Sequence, residues 1–253
     1  MRFIRRLIDI LIPHSCEICG GELSGEGNLC ATCRDRFIGE CFEHCPLCGK
    51  TAFSCICHTD FTKTTKTVLG GRTFFSLTFY QSEKEWGKQD RITEKLIFGL
   101  KEHGRYAQFF ADEMCRGISK ILTDAGEDVH DWMITYPPRS TEKLYGCGFD
   151  QSELVCEKLA KALGCRAVKT MVRGGRSAEQ KTLGAAERRT NTESTLVPIR
   201  RNIAEGGKYL LLDDIITSGA TIETAAKLLY ECGAAAVFPI SIARTETGNT
   251  RRR

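Results

Sequence analysis

The 253-residue sequence lacks any apolar run close to the ~20 residues that a membrane-spanning helix needs, so we expect no transmembrane segment. The loop within LLLDDIITSGAT (210–221) also lacks the Gly-Lys-Ser/Thr ending of a P-loop and the GxGxxG turn of a dinucleotide-binding fold, which excludes both of those nucleotide sites there. The opening MRFIRRLIDILIPHSC is interrupted by Asp9, and no small-residue cleavage site follows it. We interpret residues 1–13 as a short amphipathic helix rather than a signal peptide and expect a cytoplasmic protein.

Charge of neither sign is in large excess, because the formal net charge is only +4. The distribution is more informative than the total. Residues 169–201 contain eight Lys or Arg against three Glu, so this basic segment carries a local charge of about +5. It is either a solvated surface or a site for phosphates or nucleic acid.

Cysteine is abundant but unevenly distributed, with nine of the 14 residues between Cys16 and Cys57. The other five are scattered singly, which is typical of small buried hydrophobic residues. The dense cluster, without an export signal, indicates metal binding rather than disulfide bonds. Residues 14–60 are too poor in apolar residues to build a core alone, and we interpret them as a metal-stabilised module.

The spacing within this module predicts two closed tetrahedral zinc sites of the structural kind, which leave no open position for catalysis. Two CxxC pairs separated by ten residues would form the first site, and a third CxxC pair would begin the second. For the final ligand we favour Cys57, with His58 as a competitor; Cys41 and His44 are further alternatives, and a cross-braced pairing remains open. The predicted ligands are Cys16, Cys19, Cys30, Cys33, Cys45, Cys48, Cys55 and Cys57.

From about residue 70, strand and helix patterns alternate, which predicts βαβ units and a mostly parallel sheet. Asp150 and Glu153 are placed as a capping box for the helix at 149–164, and Gly164 is placed just past its end. We predict strands at 72–80, 131–136, 165–172, 208–214 and 235–244, helices at 91–101, 106–122, 149–164 and 220–233, and a long basic loop at 174–192.

The stretch LLLDDIITSGAT at 210–221 joins an apolar strand to a pair of carboxylates and a loop of small and hydroxyl residues. The ends of parallel strands form the ligand side of such a sheet. Asp213 and Asp214 suit ribose hydroxyls or a hard cation such as Mg²⁺. The loop that follows suits a phosphate at a helix N-terminus. The alternative is an ordinary strand–turn–helix in which Asp forms the turn.

LLLDDIITSGAT closely resembles the phosphoribosyl pyrophosphate motif of type I phosphoribosyltransferases. With the paired CxxC knuckles, the whole chain resembles the ComF/GntX-like competence family. Further motifs in that family's order are the Lys101 region, Tyr136-Pro137-Pro138, GFDQ at 148–151 and the Arg173, Gln180, Arg188 and Asn191 spacing. The family usually has Arg-Gly-Phe-Asn-Gln where this chain has Cys147-Gly148-Phe149-Asp150-Gln151.

The resemblance implies an α/β fold with a type I phosphoribosyltransferase-like parallel sheet flanked by helices and an N-terminal zinc-ribbon module. The expected organisation is a short helix at 1–13, a double zinc ribbon at 14–60, the transferase-like domain at 70–246 and a tail at 247–253.

The resemblance also implies roles for single residues. Asp213 and Asp214 would hold the ribose hydroxyls, directly or through Mg²⁺, as the catalytic pair. The 5′-phosphate would lie on Thr217, Ser218, Gly219, Ala220 and Thr221, the pyrophosphate near Pro138, Arg139 and Ser140, and a lid would carry Arg173, Gln180 and Arg188. We interpret Lys101 as a helix-end cation rather than a site residue.

Three functions follow as hypotheses. The first is a phosphoribosyltransferase that uses phosphoribosyl pyrophosphate and Mg²⁺ with an unknown acceptor. The second is a DNA-uptake factor that binds single-stranded DNA through the basic segment and acts with other competence proteins. The third is a regulator that binds the sugar phosphate without chemistry. The sequence predicts neither the acceptor nor the oligomeric state.

Overall fold

The computed structural model describes most of the chain from Ser15 to Thr245. The described residues are 15–23, 28–55, 57, 62–80, 91–139, 144–146, 148–174 and 196–245. Within them, no helix has the length and apolar character to cross a membrane. The predicted helix at 1–13, nearly all of the predicted loop at 174–192 and the predicted tail at 247–253 lie outside these residues.

A five-stranded parallel sheet forms the centre of the fold. Its strands, in spatial order, are β1 (Phe75–Tyr80), β7 (Ala236–Thr245), β6 (Lys208–Ile216), β2 (Trp132–Thr135) and β3 (Arg166–Ala167). β6 and β7 are buried along most of their length, as expected for central strands covered on both faces. β4 (Met171–Arg173) and β5 (Leu196–Pro198) form a separate antiparallel pair.

Helices cover both faces of the sheet. They are α1 (Ala31–Cys41), α2 (Thr62–Thr65), α3 (Ile92–His103), α4 (Ala107–Asp124), α5 (Gln151–Leu163) and α6 (Ala220–Glu231). Alternate residues of β6 point to opposite sides: Leu210 and Leu212 pack in the core with α3, α4 and α5, whereas Tyr209 and Leu211 pack with α6. The predicted fold class, an α/β parallel sheet flanked by helices behind a cysteine-rich module, is confirmed.

The prediction of one strand at 165–172 is wrong, because the chain leaves the main sheet between β3 and β4. Val168 still donates its backbone N–H to the Ile134 carbonyl at 2.8 Å. The buried Thr170 hydroxyl then lies 2.6 Å from that of Thr135, and the Thr170 carbonyl accepts a hydrogen bond from Ile199. These contacts direct β4 away from β2 and towards β5.

The ends of α5 agree with the sequence pattern except in one respect. Asp150 caps the helix, since its Oδ1 accepts the Ser152 N–H at 3.0 Å, and Gly164 ends it in the left-handed conformation with φ of 75°. The predicted reciprocal capping bond by Glu153 is replaced by a different contact. Glu153 accepts a hydrogen bond from the Tyr136 hydroxyl instead, at 2.5 Å.

The cysteine-rich segment shares a core with the sheet. Phe37 of α1 is fully buried, with ring centroids 5.1 Å from Phe109 and 5.9 Å from Phe110 of α4. Glu40 of α1 caps α3, because its two carboxylate oxygens accept the N–H groups of Ile92 at 2.7 Å and Thr93 at 2.9 Å. The module is therefore packed into the fold rather than attached by a linker alone.

Candidate functional site

The acidic pair lies where β6 extends past its shorter neighbour. β2 ends at Thr135, opposite Leu211, so Asp213 and Asp214 lie beyond the last paired residue of β2. The prediction that the strand ends at the pair is wrong, because β6 continues to Ile216 through its pairing with β7. The pair is thus held in regular strand geometry on one side and is open to neighbouring helices on the other.

Asp214 is held by groups from two helices. The Gln151 amide of α5 donates to Asp214 Oδ2 at 2.8 Å, and Lys101 Nζ of α3 lies 3.5 Å from the same oxygen. The Ile215 N–H donates to Asp214 Oδ1 at 2.7 Å. Burial alone would raise the pKa of Asp214, but Lys101 and these donors lower it below its usual value. Asp214 is therefore kept ionised and fixed in position.

Asp213 has the opposite electrostatic environment. Its Oδ1 accepts the Asp214 N–H at 2.9 Å. Burial, followed by repulsion from the Asp214 carboxylate, raises the pKa of Asp213 well above its usual value. The two adjacent carboxylates therefore differ in proton affinity, and a cation or a hydroxyl donor at Asp213 would offset the repulsion between them.

The loop after β6 leads directly into α6. Gly219 adopts a left-handed conformation with φ of 80° and is the residue before the helix begins, and its carbonyl accepts the Glu223 N–H at 2.8 Å. Thr217 and Ser218 are exposed. Ala220 and Thr221 form the first turn, where backbone N–H groups and the helix dipole favour an anion. The structure thus brings the five predicted phosphate contacts together at one helix end.

The segment after β2 is tied to α5 and to β4. The Arg139 N–H donates to Asp150 Oδ2 at 2.7 Å, and Arg173 Nε donates to the Pro138 carbonyl at 2.6 Å. Arg139 also has a buried Nη1 without a hydrogen-bond partner. Three further predicted site residues, Ser140, Gln180 and Arg188, lie outside the described residues.

Two cysteine clusters account for all eight predicted metal ligands. Within each cluster, the ligand atoms lie within 4.8 Å of one another. The first contains Cys16, Cys19, Cys30 and Cys33, and the second contains Cys45, Cys48, Cys55 and Cys57. In the part of the chain that the structure describes, neither Cys41 nor His44 joins a cluster, and His58 lies outside that part.

The geometry of both clusters fits zinc. Tetrahedral Zn–S bonds of about 2.3 Å place sulfur atoms about 3.8 Å apart. Sγ of Cys19 lies 3.7 Å from that of Cys30, and the distance from Cys48 to Cys55 is 3.6 Å. Both clusters can therefore hold a structural zinc ion.

The two CxxC knuckles that begin the clusters also share a backbone fold. Gly20 donates to the Cys16 carbonyl at 2.8 Å and Gly49 to the Cys45 carbonyl at 2.9 Å. Both glycines have a left-handed backbone conformation, with φ of 72° and 66° respectively. The repeat seen in the sequence is thus a structural repeat.

Two residues near the acidic pair have roles that the sequence reasoning missed. Lys101 was interpreted as a helix-end cation, but it forms an ion pair with Asp214. Gln151 belongs to the GFDQ motif, yet no role was assigned to it, although its amide contacts Asp214 and its buried Oε1 has no hydrogen-bond partner. The GFDQ motif was the available signal, because it ends in a Gln at the first position of a helix.

Comparison with known proteins gives close relatives. No family model matches the chain. The chain is 34% identical over 249 residues to the DNA utilization protein YhgH of Salmonella typhimurium, covering 93% of this chain and 99% of that protein. It is 27% identical over 226 residues to the competence protein ComFC of Streptococcus pneumoniae, covering 85% of this chain and 87% of that protein.

Among solved structures, the chain is similar to an adenine phosphoribosyltransferase, with a TM-score of 0.35 and 18% identity, over 53% of this chain and 69% of that one. The order of the parallel strands, rather than this limited overlap, establishes the fold class. The match to YhgH spans nearly the whole of both proteins. The chain therefore belongs to the ComF-like family, which includes YhgH and ComFC.

Proposed function

We propose that this protein binds phosphoribosyl pyrophosphate with Mg²⁺ at the Asp213–Asp214 site and acts in competence, in the uptake and processing of single-stranded DNA on the cytoplasmic side. A phosphoribosyltransferase reaction with an acceptor of unknown identity is the activity that this site would support. The names of the relatives, a DNA utilization protein and a competence protein, support the biological role.

The arrangement around β6 carries the proposal for the ligand. Two carboxylates, one stabilised as an anion by Lys101 and Gln151, precede a helix N-terminus with a left-handed glycine. Carboxylates suit the vicinal hydroxyls of a ribose, and the helix start suits its 5′-phosphate. The hydroxyls and the phosphate belong to one sugar phosphate, and the two halves of the site are consecutive along the chain.

Each part of the site would have a separate task. Asp213 and Asp214 would accept hydrogen bonds from the ribose hydroxyls or hold Mg²⁺, and oxygen ligands of this type fit that cation. Bound Mg²⁺ would neutralise charge on the departing pyrophosphate. Lys101 would keep Asp214 ionised and oriented. The Arg139 side chain, beside the Pro138 carbonyl held by Arg173, would face the pyrophosphate.

Isothermal titration with phosphoribosyl pyrophosphate and Mg²⁺ tests the proposal. We expect binding by the intact chain and a loss of roughly a hundredfold or more for Asp213→Asn with Asp214→Asn, because two hydrogen bonds to charged groups would be weakened. Asp124→Asn with Asp131→Asn is the matched control, since both carboxylates are exposed. Absence of binding by the intact chain would contradict the proposal.

A second candidate function is single-stranded DNA binding without catalysis through the basic segment. Its described residues Lys169, Arg200 and Arg201 are exposed around the β4–β5 pair. Asn202 donates to the Lys169 carbonyl at 2.7 Å, which holds these cations on neighbouring parts of the surface. Such a surface would bind the phosphate backbone without sequence preference.

Salt dependence tests this second candidate. Binding through phosphates releases counterions, so affinity for single strands should fall linearly with salt on logarithmic axes. Arg200→Gln with Arg201→Gln should weaken binding and reduce that slope, whereas Lys158→Gln with Lys161→Gln on α5 should not. Affinity that is indifferent to salt would rule out this candidate.

A further inference from the structure

A cavity of about 220 Å³ lies between the second cysteine loop and the turn that precedes β1. The cysteine loop contributes Lys50, Phe53 and Ser54, and the opposite wall contributes Arg72, Thr73 and Phe74 beside the Gly70–Gly71 turn. Pockets for drug-sized ligands are roughly 300–1,000 Å³. This cavity is therefore suited to a small group rather than to a whole nucleotide.

The charge lining the cavity is of one sign. Lys50 and Arg72 line it, and no carboxylate does. Asp124 approaches the Gly70 turn, but its carboxylate lies 3.2 Å from Lys120 Nζ. Among the described residues, no ion pair joins either lining cation to a carboxylate. Two lining cations that have no counterion among the described residues favour an anionic ligand.

Two polar atoms in the same wall are buried without a partner. They are Arg72 Nε and the Thr73 hydroxyl, neither of which has a hydrogen-bond partner. Buried donors are almost always satisfied in folded proteins, so such atoms need an explanation. An anion with several oxygens could accept hydrogen bonds from both of them and from Lys50 at once.

We propose that this cavity is a binding site for a phosphate group, either free or within a nucleic-acid strand. It is a separate site from the Asp213–Asp214 site, because β7 lies between β1 and β6 in the sheet. The ring of Phe42, which is 61% exposed, packs edge-on against Phe53 of the cavity wall at 6.3 Å. An exposed aromatic ring of this kind is where a base next to a bound phosphate would stack.

Titrations with inorganic phosphate and with a short single-stranded oligothymidylate test this site. Lys50→Gln should weaken binding of at least one probe about tenfold, which is the scale of one charge-assisted contact. Lys50 is exposed, so this substitution should leave the fold intact. Lys161→Gln, an equal charge change on the exposed face of α5, is the matched control. Zinc content and phosphoribosyl pyrophosphate affinity should be unchanged in both variants.

The pattern of losses distinguishes the two sources of phosphate. If Phe42→Ala also weakens oligothymidylate binding, the ligand is a nucleic-acid strand. If Lys50→Gln weakens phosphate binding and Phe42→Ala has no effect, the ligand is a free phosphate. The proposal is overturned if Lys50→Gln binds both probes like the intact chain, or if Lys161→Gln weakens them equally. Because phosphoribosyl pyrophosphate affinity is measured in parallel, this failure is distinguishable from a failure at the Asp213–Asp214 site.

Discussion

The cysteine module and the parallel sheet are stabilised by different means, although they share a core. In the module, eight thiols form two clusters, of which the first packs against the main core and the second has only Ala52 and Phe79 buried beside it. In the sheet, β6 and β7 are enclosed by aliphatic and aromatic side chains on both faces. Metal ligation would stabilise the folded module, as apolar burial stabilises the folded sheet. Phe37 and Glu40 of α1 join the two regions, so a change in one should be felt in the other.

The connection extends to the second cluster through a buried cation. Arg244, near the end of β7, donates to the carbonyls of Cys55 and Cys57. Its guanidinium also lies 5.2 Å from the ring centroid of Phe74 and 5.9 Å from that of Phe79. The last strand of the sheet therefore supports the loop that carries the final two thiols.

Removal of metal should have the largest effect on the stability of the two regions. We expect about two zinc ions per chain, since the described cysteines form two clusters. Structural zinc can contribute roughly 10 kcal/mol or more to folding, so a chelator should unfold the module. Because the module shares its core with the sheet, the melting temperature of the whole chain should fall as well.

Calorimetry with and without chelator measures this effect. Cys115→Ser is the control, because it removes a thiol of α4 that lies outside both clusters, and this variant should respond to the chelator as the intact chain does. A sheet that melts at the same temperature with and without metal would show that the two regions are energetically independent. A chain without bound metal would contradict the zinc assignment.

Phe37→Ala should have the next largest effect. Phe37 is fully buried between α1 and α4, so truncation leaves a cavity in the shared core and should lower the free energy of unfolding by about 3–5 kcal/mol. Phe98→Ala on α3 is the matched control, because that ring is 56% exposed. Urea denaturation gives both values. Equal effects of the two substitutions would refute the shared core.

Glu40→Gln should have a smaller effect, of about 1 kcal/mol. The substitution replaces one of the two carboxylate oxygens that cap α3 with an amide donor, which cannot accept an N–H bond. Glu157→Gln, at an exposed position of α5, controls for the loss of one negative charge. If urea denaturation shows no difference between the two variants, α1 does not cap α3 in solution.

Asp150→Asn should have the smallest effect, and the size of this effect should depend on pH. Burial raises the pKa of Asp150 in the folded chain above its usual value, although three backbone N–H groups partly oppose this. A raised pKa means that stability falls as pH increases through the folded-state value. Relative to the intact chain, the Asn variant should therefore gain stability from acidic to neutral pH. If the curves of unfolding free energy against pH are parallel for the Asn variant and the intact chain, this account of Asp150 is wrong.

The sequence predicted local features well and long-range contacts poorly. The Asp150 cap and the Gly164 helix end depend on residues within a few positions of one another, and the cysteine ligands were recognisable from the short spacing within each pair; the structure reproduces all of them. Glu153 was misassigned because its partner, Tyr136, is 17 residues away. Glu40 was not assigned because it caps a helix 52 residues further along the chain.

The acidic site shows the same division. The pattern at 210–221 was sufficient to place two carboxylates before a small-residue loop and a helix start, because strand, loop and helix are consecutive. The sequence could not show that Lys101 and Gln151 converge on Asp214, since that depends on how α3 and α5 pack beside β6. Nor could it show that β6 continues past the pair, which depends on pairing with β7.

A crystal structure of the chain soaked with phosphoribosyl pyrophosphate and Mg²⁺ tests the central proposal most directly. We expect the ribose hydroxyls at Asp213 and Asp214, directly or through Mg²⁺, and the 5′-phosphate on the N–H groups of residues 217–221. Gln151 and Lys101 should remain on Asp214. Density for the ligand at another site, or no ligand at saturating concentration, would contradict the assignment of this site.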